Sequence, residues 1–180
     1  MSSTLASAAS TGGLAAKYSS LVKAALQLYT ADTATQASIV KSHYTDTATF
    51  EDPLMIVNGT ANIEAQFNSL HKFFSSISVT EGVKSTTTTS ASGGVDSTTT
   101  PTKPGEETFV VPNTQIYKTK PEKPETVIEC NTLLTVDTAT SKIVRHHDVW
   151  LNKSFENPTV VKKVGGWTSS AIFKLFNVGV

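Results

Sequence analysis

Two periodicities follow one another along this chain, and their order constrains the fold more than any other feature of the sequence. Before Phe74, apolar residues recur at three- and four-residue steps, which is typical of helices with one buried face. After Phe74 the period falls to two and β-branched residues become frequent, which indicates strands. We therefore expect an α+β domain, because helices that precede a run of antiparallel strands bury their apolar stripes on one face of the sheet.

Three helices are predicted in the first half of the chain. They comprise Leu14 to Tyr29, a shorter helix that begins near Asp32 or Thr33 and carries Ile39, Val40 and Tyr44, and Ala61 to Phe74. Extended segments are predicted over Thr47–Glu51, Ile77–Val83, Thr108–Lys118, Thr126–Val136, Ile143–Leu151 and Gly166–Phe176. A curled sheet packed against helices in this way leaves a cavity between the two layers.

The length of 180 residues suits one domain with one hydrophobic core. We expect residues 1–13 to be a flexible tail and residues 14–180 to form the domain. A Ser- and Thr-rich insertion over 84–107 interrupts it, because that segment holds too little apolar surface to offset the entropy lost on ordering. The insertion is therefore predicted to be a long mobile loop between two strands.

Charge and hydropathy restrict the partners of the chain. Fifteen Lys and Arg residues balance fifteen Asp and Glu residues, so no net field attracts nucleic acid or an anionic membrane. No run approaches the ~18 apolar residues of a membrane span, and the N-terminus lacks the features of a signal peptide. Cys130 is the only cysteine, which excludes an internal disulfide and fits a reducing compartment. We expect a cytoplasmic protein that binds neither nucleic acid nor membrane.

One stretch carries a resemblance to a known family. The residues from Tyr44 to Pro53 read Tyr-Thr-Asp-Thr-Ala-Thr-Phe-Glu-Asp-Pro, and Gly59-Thr60-Ala61-Asn62-Ile63 follows them. This order is similar to the ketosteroid isomerase and SnoaL-like region of the nuclear transport factor 2-like superfamily. The later segments Leu134–Asp137, Lys142–Val144 and Trp150 resemble the last two strands of that family. The resemblance implies a cone-shaped α+β fold, with a curved antiparallel sheet packed against three N-terminal helices around an interior pocket.

Asp52 is the position that matches the general base of the family, so the resemblance implies that it moves a proton between carbons of the substrate. A carboxylate that faces an apolar cavity also loses hydration, which raises its pKa toward the range of a working base. The alternative is that Asp52 caps the turn at Pro53. The acid that polarises the carbonyl group in the family has no counterpart, since Thr132 stands near its position. Tyr18 and Tyr29 both miss the place of the family's tyrosine, and one of them matches it only if an insertion or deletion is allowed.

The segment Arg145 to Trp150 supplies a second set of candidates. Alternate residues of a strand share a face, so His146, Asp148 and Trp150 project together while His147 projects to the other side. A histidine and an aspartate on one face can act as an acid/base pair. The alternative is a polar pair at a dimer interface or a sheet edge. A metal site is not predicted, because the two neighbouring histidines point to opposite faces.

These observations lead to one candidate site and two candidate functions. The predicted catalytic residues are Asp52, His146 and Asp148, and the predicted substrate-binding residues are Trp150, Tyr44 and Tyr29, although Tyr44 is also placed to staple a helix to the sheet. We predict an acid/base enzyme without a cofactor, an isomerase, lyase (dehydratase) or cyclase, that acts on a small apolar molecule in the pocket. The alternative is a non-catalytic ligand-binding or dimerisation module of the same fold. A homodimer formed through the sheet is expected.

Overall fold

The computed structural model describes residues 17–82, 103–119 and 125–152. These ranges contain the helices α1 (Ser19–Gln27), α2 (Thr33–His43) and α3 (Thr60–Phe73). They also contain the strands β1 (Tyr44–Glu51), β2 (Ile56–Asn58), β3 (Phe74–Glu81), β4 (Glu106–Thr119), β5 (Thr126–Asp137) and β6 (Lys142–Trp150). The chain is therefore an α+β protein, as the order of the two periodicities predicted.

The six strands form one curved sheet in the order β2-β1-β6-β5-β4-β3. Neighbouring strands are antiparallel except β1 and β6, which are parallel and pair Phe50 with His146 and Glu51 with His147. The sheet is thus mixed, whereas the sequence predicted an antiparallel one. The reason is that β1 pairs with the strand farthest from it along the described chain, and a parallel pair needs a long crossover that leaves no mark in local periodicity.

Several predicted boundaries differ from the structure. Tyr44 has extended backbone angles and begins β1, although the sequence placed it in the second helix, and its amide still bonds Val40 O as the cap of α2. The short strand β2 was not predicted. Glu106 and Glu107, assigned to the insertion, begin β4. The predicted strand over 166–176, the tail over 1–13 and most of the insertion lie outside the described residues.

Two helix starts follow from their capping residues. The Asp32 side chain accepts a hydrogen bond from Thr35 N at 2.8 Å and so caps α2 at the predicted position. Gly59 precedes α3 with φ of 82°, a left-handed conformation that glycine adopts without steric cost. A Cβ atom at this position would lie 3.5 Å from Asp46 O, so the backbone conformation rather than crowding favours glycine there.

The helices bury their apolar faces on one side of the sheet and produce one core. Aromatic contacts join the layers: the Tyr18 ring stacks on Phe109 of β4 at 5.5 Å, and Phe67 of α3 lies edge-on to Tyr29 and to Phe50, each at 5.0 Å. Strand β4 alternates strictly between buried and less buried residues from Phe109 onward, as a half-buried strand requires. In the described part of the chain, no helix is long and apolar enough to cross a membrane.

The core position of α3 makes a testable prediction about stability. Ile63 is fully buried, whereas Ile56 on the edge strand is 40% exposed. We expect Ile63→Ala to lower the free energy of unfolding by about 2–5 kcal/mol, because it removes buried methyl groups and leaves a cavity. Ile56→Ala should lower it by less than about 1 kcal/mol. Urea unfolding of both variants measures the difference, and equal losses would contradict the placement of α3.

Candidate functional site

A small cavity lies between α3 and the inner face of the sheet. Its wall is mostly apolar and includes Phe50, Leu54, Phe67, Leu70, Phe74 and Trp150. Six polar residues also line it: Tyr29, Asp52, Gln66, Gln115, Tyr117 and Asp148. The volume of about 30 Å³ corresponds to roughly two or three water molecules. A ligand must therefore be slender or must displace side chains of the wall.

Asp148 of β6 is the most enclosed charged group on this wall, with an exposed fraction of 2%. Its Oδ1 accepts a hydrogen bond from the Thr132 hydroxyl at 2.6 Å and lies 3.4 Å from His146 Nε2. Its Oδ2 accepts a short hydrogen bond from the Tyr29 hydroxyl and a longer one, 3.4 Å, from Gln115 Nε2. Donors thus surround the carboxylate on both oxygens.

The surrounding donors decide the ionisation state of Asp148. Burial alone would raise the pKa of this carboxyl group, but the hydrogen bond and charge of His146, with the hydroxyls of Thr132 and Tyr29, outweigh burial and lower it. Hydrogen-bond direction leads to the same result, because a proton on either oxygen would displace one of the donors. Asp148 is therefore an ionised carboxylate at neutral pH.

A second layer of polar side chains on β4 holds the donors in place. Asn113 Nδ2 donates to the Thr132 hydroxyl at 2.9 Å, and Gln115 Nε2 donates to Asn113 Oδ1 at 3.2 Å. The Tyr117 hydroxyl donates to Gln115 Oε1 at 2.6 Å. Each amide hydrogen and oxygen of Gln115 has a partner, so the direction of every bond in this network is determined.

His146 is fully buried and lies behind Tyr29 rather than on the cavity wall. Its Nε2 is 3.2 Å from the Tyr29 hydroxyl, and its Nδ1 is 2.8 Å from the Tyr44 hydroxyl. Nε2 carries a proton, because the neighbouring Asp148 oxygen can only accept. The Tyr44 hydroxyl donates to Nδ1 when the imidazole is neutral and accepts when it is charged. His146 reaches the cavity through Tyr29.

The two tyrosines therefore differ in position. Tyr29 lines the cavity, as a substrate-binding residue must, whereas Tyr44 is fully buried beside His146 and is not part of the wall. Burial and the nearby charge of Asp148 raise the pKa of both phenols well above its ordinary value, so both hydroxyls keep their protons at neutral pH. The substrate-binding role of each residue stays a prediction, and for Tyr44 the geometry favours contact with His146.

Asp52 and Asp148 reach the same cavity from the ends of the parallel strands β1 and β6. The pairing runs to Glu51 and His147, the residues just before Asp52 and Asp148, and both carboxylates line the cavity. Asp52 Oδ1 accepts hydrogen bonds from Leu54 N at 2.7 Å and Met55 N at 2.8 Å. The residue thus caps the turn and faces the cavity, and its role as a base stays a prediction.

The other face of β6 carries a separate ion pair. Arg145 Nη2 lies 2.6 Å from Glu51 Oε2, and His147 Nε2 lies 4.0 Å from Glu51 Oε1. The neighbouring histidines 146 and 147 thus occupy opposite faces of the sheet, and Trp150 lies with His146 and Asp148 on the cavity side. Within the described ranges, no three His, Cys, Asp or Glu side chains are grouped as metal ligands. Burial raises the pKa of the Cys130 thiol, which lies away from the wall.

Five polar site residues were not predicted from the sequence: Thr132 as a donor, Asn113, Gln115, Tyr117 and Gln66. A signal for two of them was present. In β4 the buried positions Phe109, Val111, Asn113, Gln115 and Tyr117 all have the same parity, so two amides stand where period two predicts core residues. Polar residues at the alternate strand positions that face the core indicate either a buried hydrogen-bond network or a functional site.

Replacement of Asp148 tests the proposed ionisation state. Asp148→Asn should lower the free energy of unfolding by about 3–5 kcal/mol at pH 7, because an amide turns one acceptor into a donor among fixed donors. Because the folded pKa of Asp148 is lowered, its contribution is full above about pH 4 and is lost as the pH falls through the folded value. Denaturant unfolding from pH 7 to pH 2 should therefore show a steeper acid loss for the wild type than for Asp148→Asn.

The control for that experiment is Asp46→Asn, which changes an exposed carboxylate of β1. It should alter stability by less than about 0.5 kcal/mol and leave the acid dependence of the wild type intact. An identical pH dependence in the wild type and in Asp148→Asn would show that Asp148 is not ionised in the folded protein.

This architecture has counterparts among the solved structures of other proteins. No family model matches the sequence, and no curated protein matches it. Solved structures do match. An NTF2-like protein of unknown function from Exiguobacterium sp. 255-15 is 11% identical with a TM-score of 0.54, and the match covers 74% of this chain and 99% of that chain.

Two further structures carry the names of enzymes. A putative isomerase of the SnoaL-like family from Agrobacterium tumefaciens C58 is 12% identical with a TM-score of 0.52, over 76% of this chain and 99% of that chain. A putative scytalone dehydratase from Novosphingobium aromaticivorans is 11% identical with a TM-score of 0.53, and the match covers 79% of this chain and 88% of that chain. Similarity at this level shows a shared fold and not a shared activity. This chain therefore has the NTF2-like fold that SnoaL-like and ketosteroid isomerase-like proteins share.

Proposed function

We propose that this protein is an acid/base enzyme, an isomerase or a dehydratase, that moves a proton on a small neutral molecule in the cavity. The observation that carries the proposal is the ionised Asp148 on the wall of a buried cavity that Asp52 also lines, with Tyr29 between His146 and the cavity. Buried titratable groups at a cavity are frequent at catalytic sites, because proton transfer needs pKa values displaced by the surroundings. The names of two structures with the same fold, an isomerase and a dehydratase, agree with this reaction class.

In this proposal Asp52 is the base. Its carboxylate lines the cavity and is 7% exposed, and two backbone amides hold one of its oxygens in a fixed direction. Rigid placement of a base near the reacting carbon lowers the entropy lost on reaching the transition state. Asp52 removes the proton from the carbon next to a carbonyl group.

Tyr29 and His146 act on the oxygen of the substrate. The Tyr29 hydroxyl turns from Asp148 toward the substrate oxygen and donates its proton, and His146 Nε2, 3.2 Å away, supplies a proton in return. In this step His146 starts as the imidazolium, which Asp148 stabilises, and ends as the neutral imidazole. Since Tyr29 is buried and has a raised pKa, it gives up a proton only when one is returned to it.

Two overall reactions fit these roles. In an isomerisation, Asp52 takes the proton from the α-carbon of a β,γ-unsaturated ketone and returns it to the γ-carbon. In a dehydration, Asp52 takes the α-proton of a β-hydroxy ketone while Tyr29 protonates the departing hydroxyl group, the carbon–oxygen bond breaks, and water leaves. After an isomerisation the enol oxygen returns its proton to Tyr29, and Tyr29 returns one to His146, so every group regains its starting state. After a dehydration solvent restores one proton to His146 and removes one from Asp52, so no net proton is consumed.

One observation favours the non-catalytic alternative, a ligand-binding module. The side chains of Tyr29, Gln115 and Thr132 all donate to Asp148, and the Gln115 amide that fixes part of this network has every hydrogen and its oxygen paired. A fully satisfied network of this kind also specifies a core without any chemistry. The homodimer and the cytoplasmic location expected from the sequence remain predictions.

An assay with two small ketones distinguishes the two functions. Pent-4-en-2-one tests isomerisation and 4-hydroxypentan-2-one tests dehydration, and both yield pent-3-en-2-one, which is followed by its ultraviolet absorbance. We expect the wild type to accelerate one of them. Asp52→Asn and Tyr29→Phe should each lower kcat/KM by ~10²–10⁴-fold, because each removes a proton-transfer group.

His147→Gln is the matched control, since His147 lies on the opposite face beside Glu51. It should leave the rate within about twofold of the wild type. If Asp52→Asn retains the full rate in a folded protein, Asp52 is not the base. If the wild type accelerates neither reaction although it binds both ketones, the ligand-binding alternative is favoured.

A further inference from the structure

We propose that Gln66 of α3 is the residue that selects the ligand, and that it binds the oxygen atom of a small neutral carbonyl or hydroxyl compound. The inference deepens the proposed function, because it names the substrate class of the same cavity. It rests on a separate observation: the side-chain amide of Gln66, on the helical side of the wall, has no hydrogen-bond partner among the described residues.

Gln66 lines the cavity and is only 5% exposed. Its backbone carbonyl accepts a hydrogen bond from the Ser69 hydroxyl at 2.7 Å. In the part of the chain that the structure describes, no protein group hydrogen-bonds its side-chain amide. The amide atoms are not among the fully enclosed atoms that lack a partner, so they meet what fills the cavity, water or a ligand, which supplies the hydrogen bonds that the protein does not.

The position of Gln66 also departs from the pattern of its helix. The buried face of α3 consists of Ile63, Gln66, Phe67 and Leu70, which is one stripe at helical spacing with a single polar member. A leucine or methionine there would pack without cost. A residue that breaks a local rule without a compensating contact in the protein indicates a functional requirement.

The chemistry of the cavity restricts the ligand. The Gln66 amide offers two donor hydrogens and one acceptor oxygen, which suit a carbonyl or hydroxyl oxygen. Anionic ligands are disfavoured, because Asp148 is ionised and a second carboxyl group, that of Asp52, lines the same cavity. A cation is not required, because the donors around Asp148 already satisfy that carboxylate. A neutral oxygen-bearing molecule remains, with its apolar part against the phenylalanines of the wall.

A pair of probes that differ in one atom tests the inference. Pentan-2-one has a carbonyl oxygen where 2-methylpent-1-ene has a methylene group, and the two share the same skeleton. Their affinities for the whole chain are measured by NMR titration of the amide signals of cavity residues. We expect the wild type to bind the ketone about tenfold to a hundredfold more tightly. Gln66→Met keeps the length of the side chain and should abolish this preference, so that the two probes bind with about equal affinity.

Thermal unfolding supplies a second readout that a merely structural role would not produce. Gln66→Met should raise the unfolding midpoint, because it removes a buried amide that has no protein partner. The control is Gln36→Met, which changes a fully buried glutamine outside the cavity. That variant should keep the ketone preference of the wild type, because Gln36 does not line the cavity and its amide donates to Leu28 O at 2.7 Å instead.

Several outcomes would overturn the inference: equal affinity of the wild type for both probes, no binding at millimolar concentrations, an unchanged preference in Gln66→Met, or a lowered midpoint in that variant. The experiment needs no turnover. A ketone preference that depends on Gln66 in a protein without activity would refute the proposed enzyme and support this inference. Normal turnover together with an unchanged ketone preference in Gln66→Met would support the proposed enzyme and refute this inference.

Discussion

The buried charge of Asp148 is the constraint on which the arrangement of the central strands depends. An ionised carboxylate that is 2% exposed is strongly unfavourable unless donors replace its water. The donors come from different elements: Gln115 from β4, Thr132 from β5, His146 from β6 and Tyr29 from the turn after α1. The charge therefore favours one strand register and one helix position among the many that apolar packing alone would tolerate.

This constraint also connects stability to the candidate chemistry. Tyr29 bonds Asp148 and lines the cavity, so the group proposed to donate a proton is also one of the groups that stabilise the buried charge. A ligand that draws the hydroxyl away must replace that bond with another of similar strength. We infer that ligand binding and the energy of the core are coupled through this one side chain.

Local features of the fold could be predicted from the sequence, and features that join distant segments could not. The helices and the long strands leave periodic patterns, and strand alternation placed His146 and Asp148 together on the face opposite His147. The parallel pairing of β1 and β6 leaves no local pattern, so the sheet was expected to be antiparallel. Gln66 stood within a helical stripe that was recognised from its apolar members, and its burial became visible only once the helix was packed. Asp52 was interpreted as either a turn cap or a cavity residue, whereas its backbone contacts and its position satisfy both.

The parallel pairing has a consequence for the order of folding. Strands β4, β5 and β6 are consecutive and antiparallel. Each therefore pairs with the strand that follows it, which closes only the loop between them. By contrast, the paired residues Phe50 and His146 are 96 residues apart in the sequence (146 minus 50). Closing a loop of that size costs conformational entropy before any stabilising contact between the two strands forms. We expect β1 to join the sheet late, after the donors from β4 and β5 have gathered around Asp148. The cavity would then receive Asp52 in the last step of folding, and an intermediate without β1 would hold the donors of β4 and β5 around Asp148 beside a cavity that lacks Asp52.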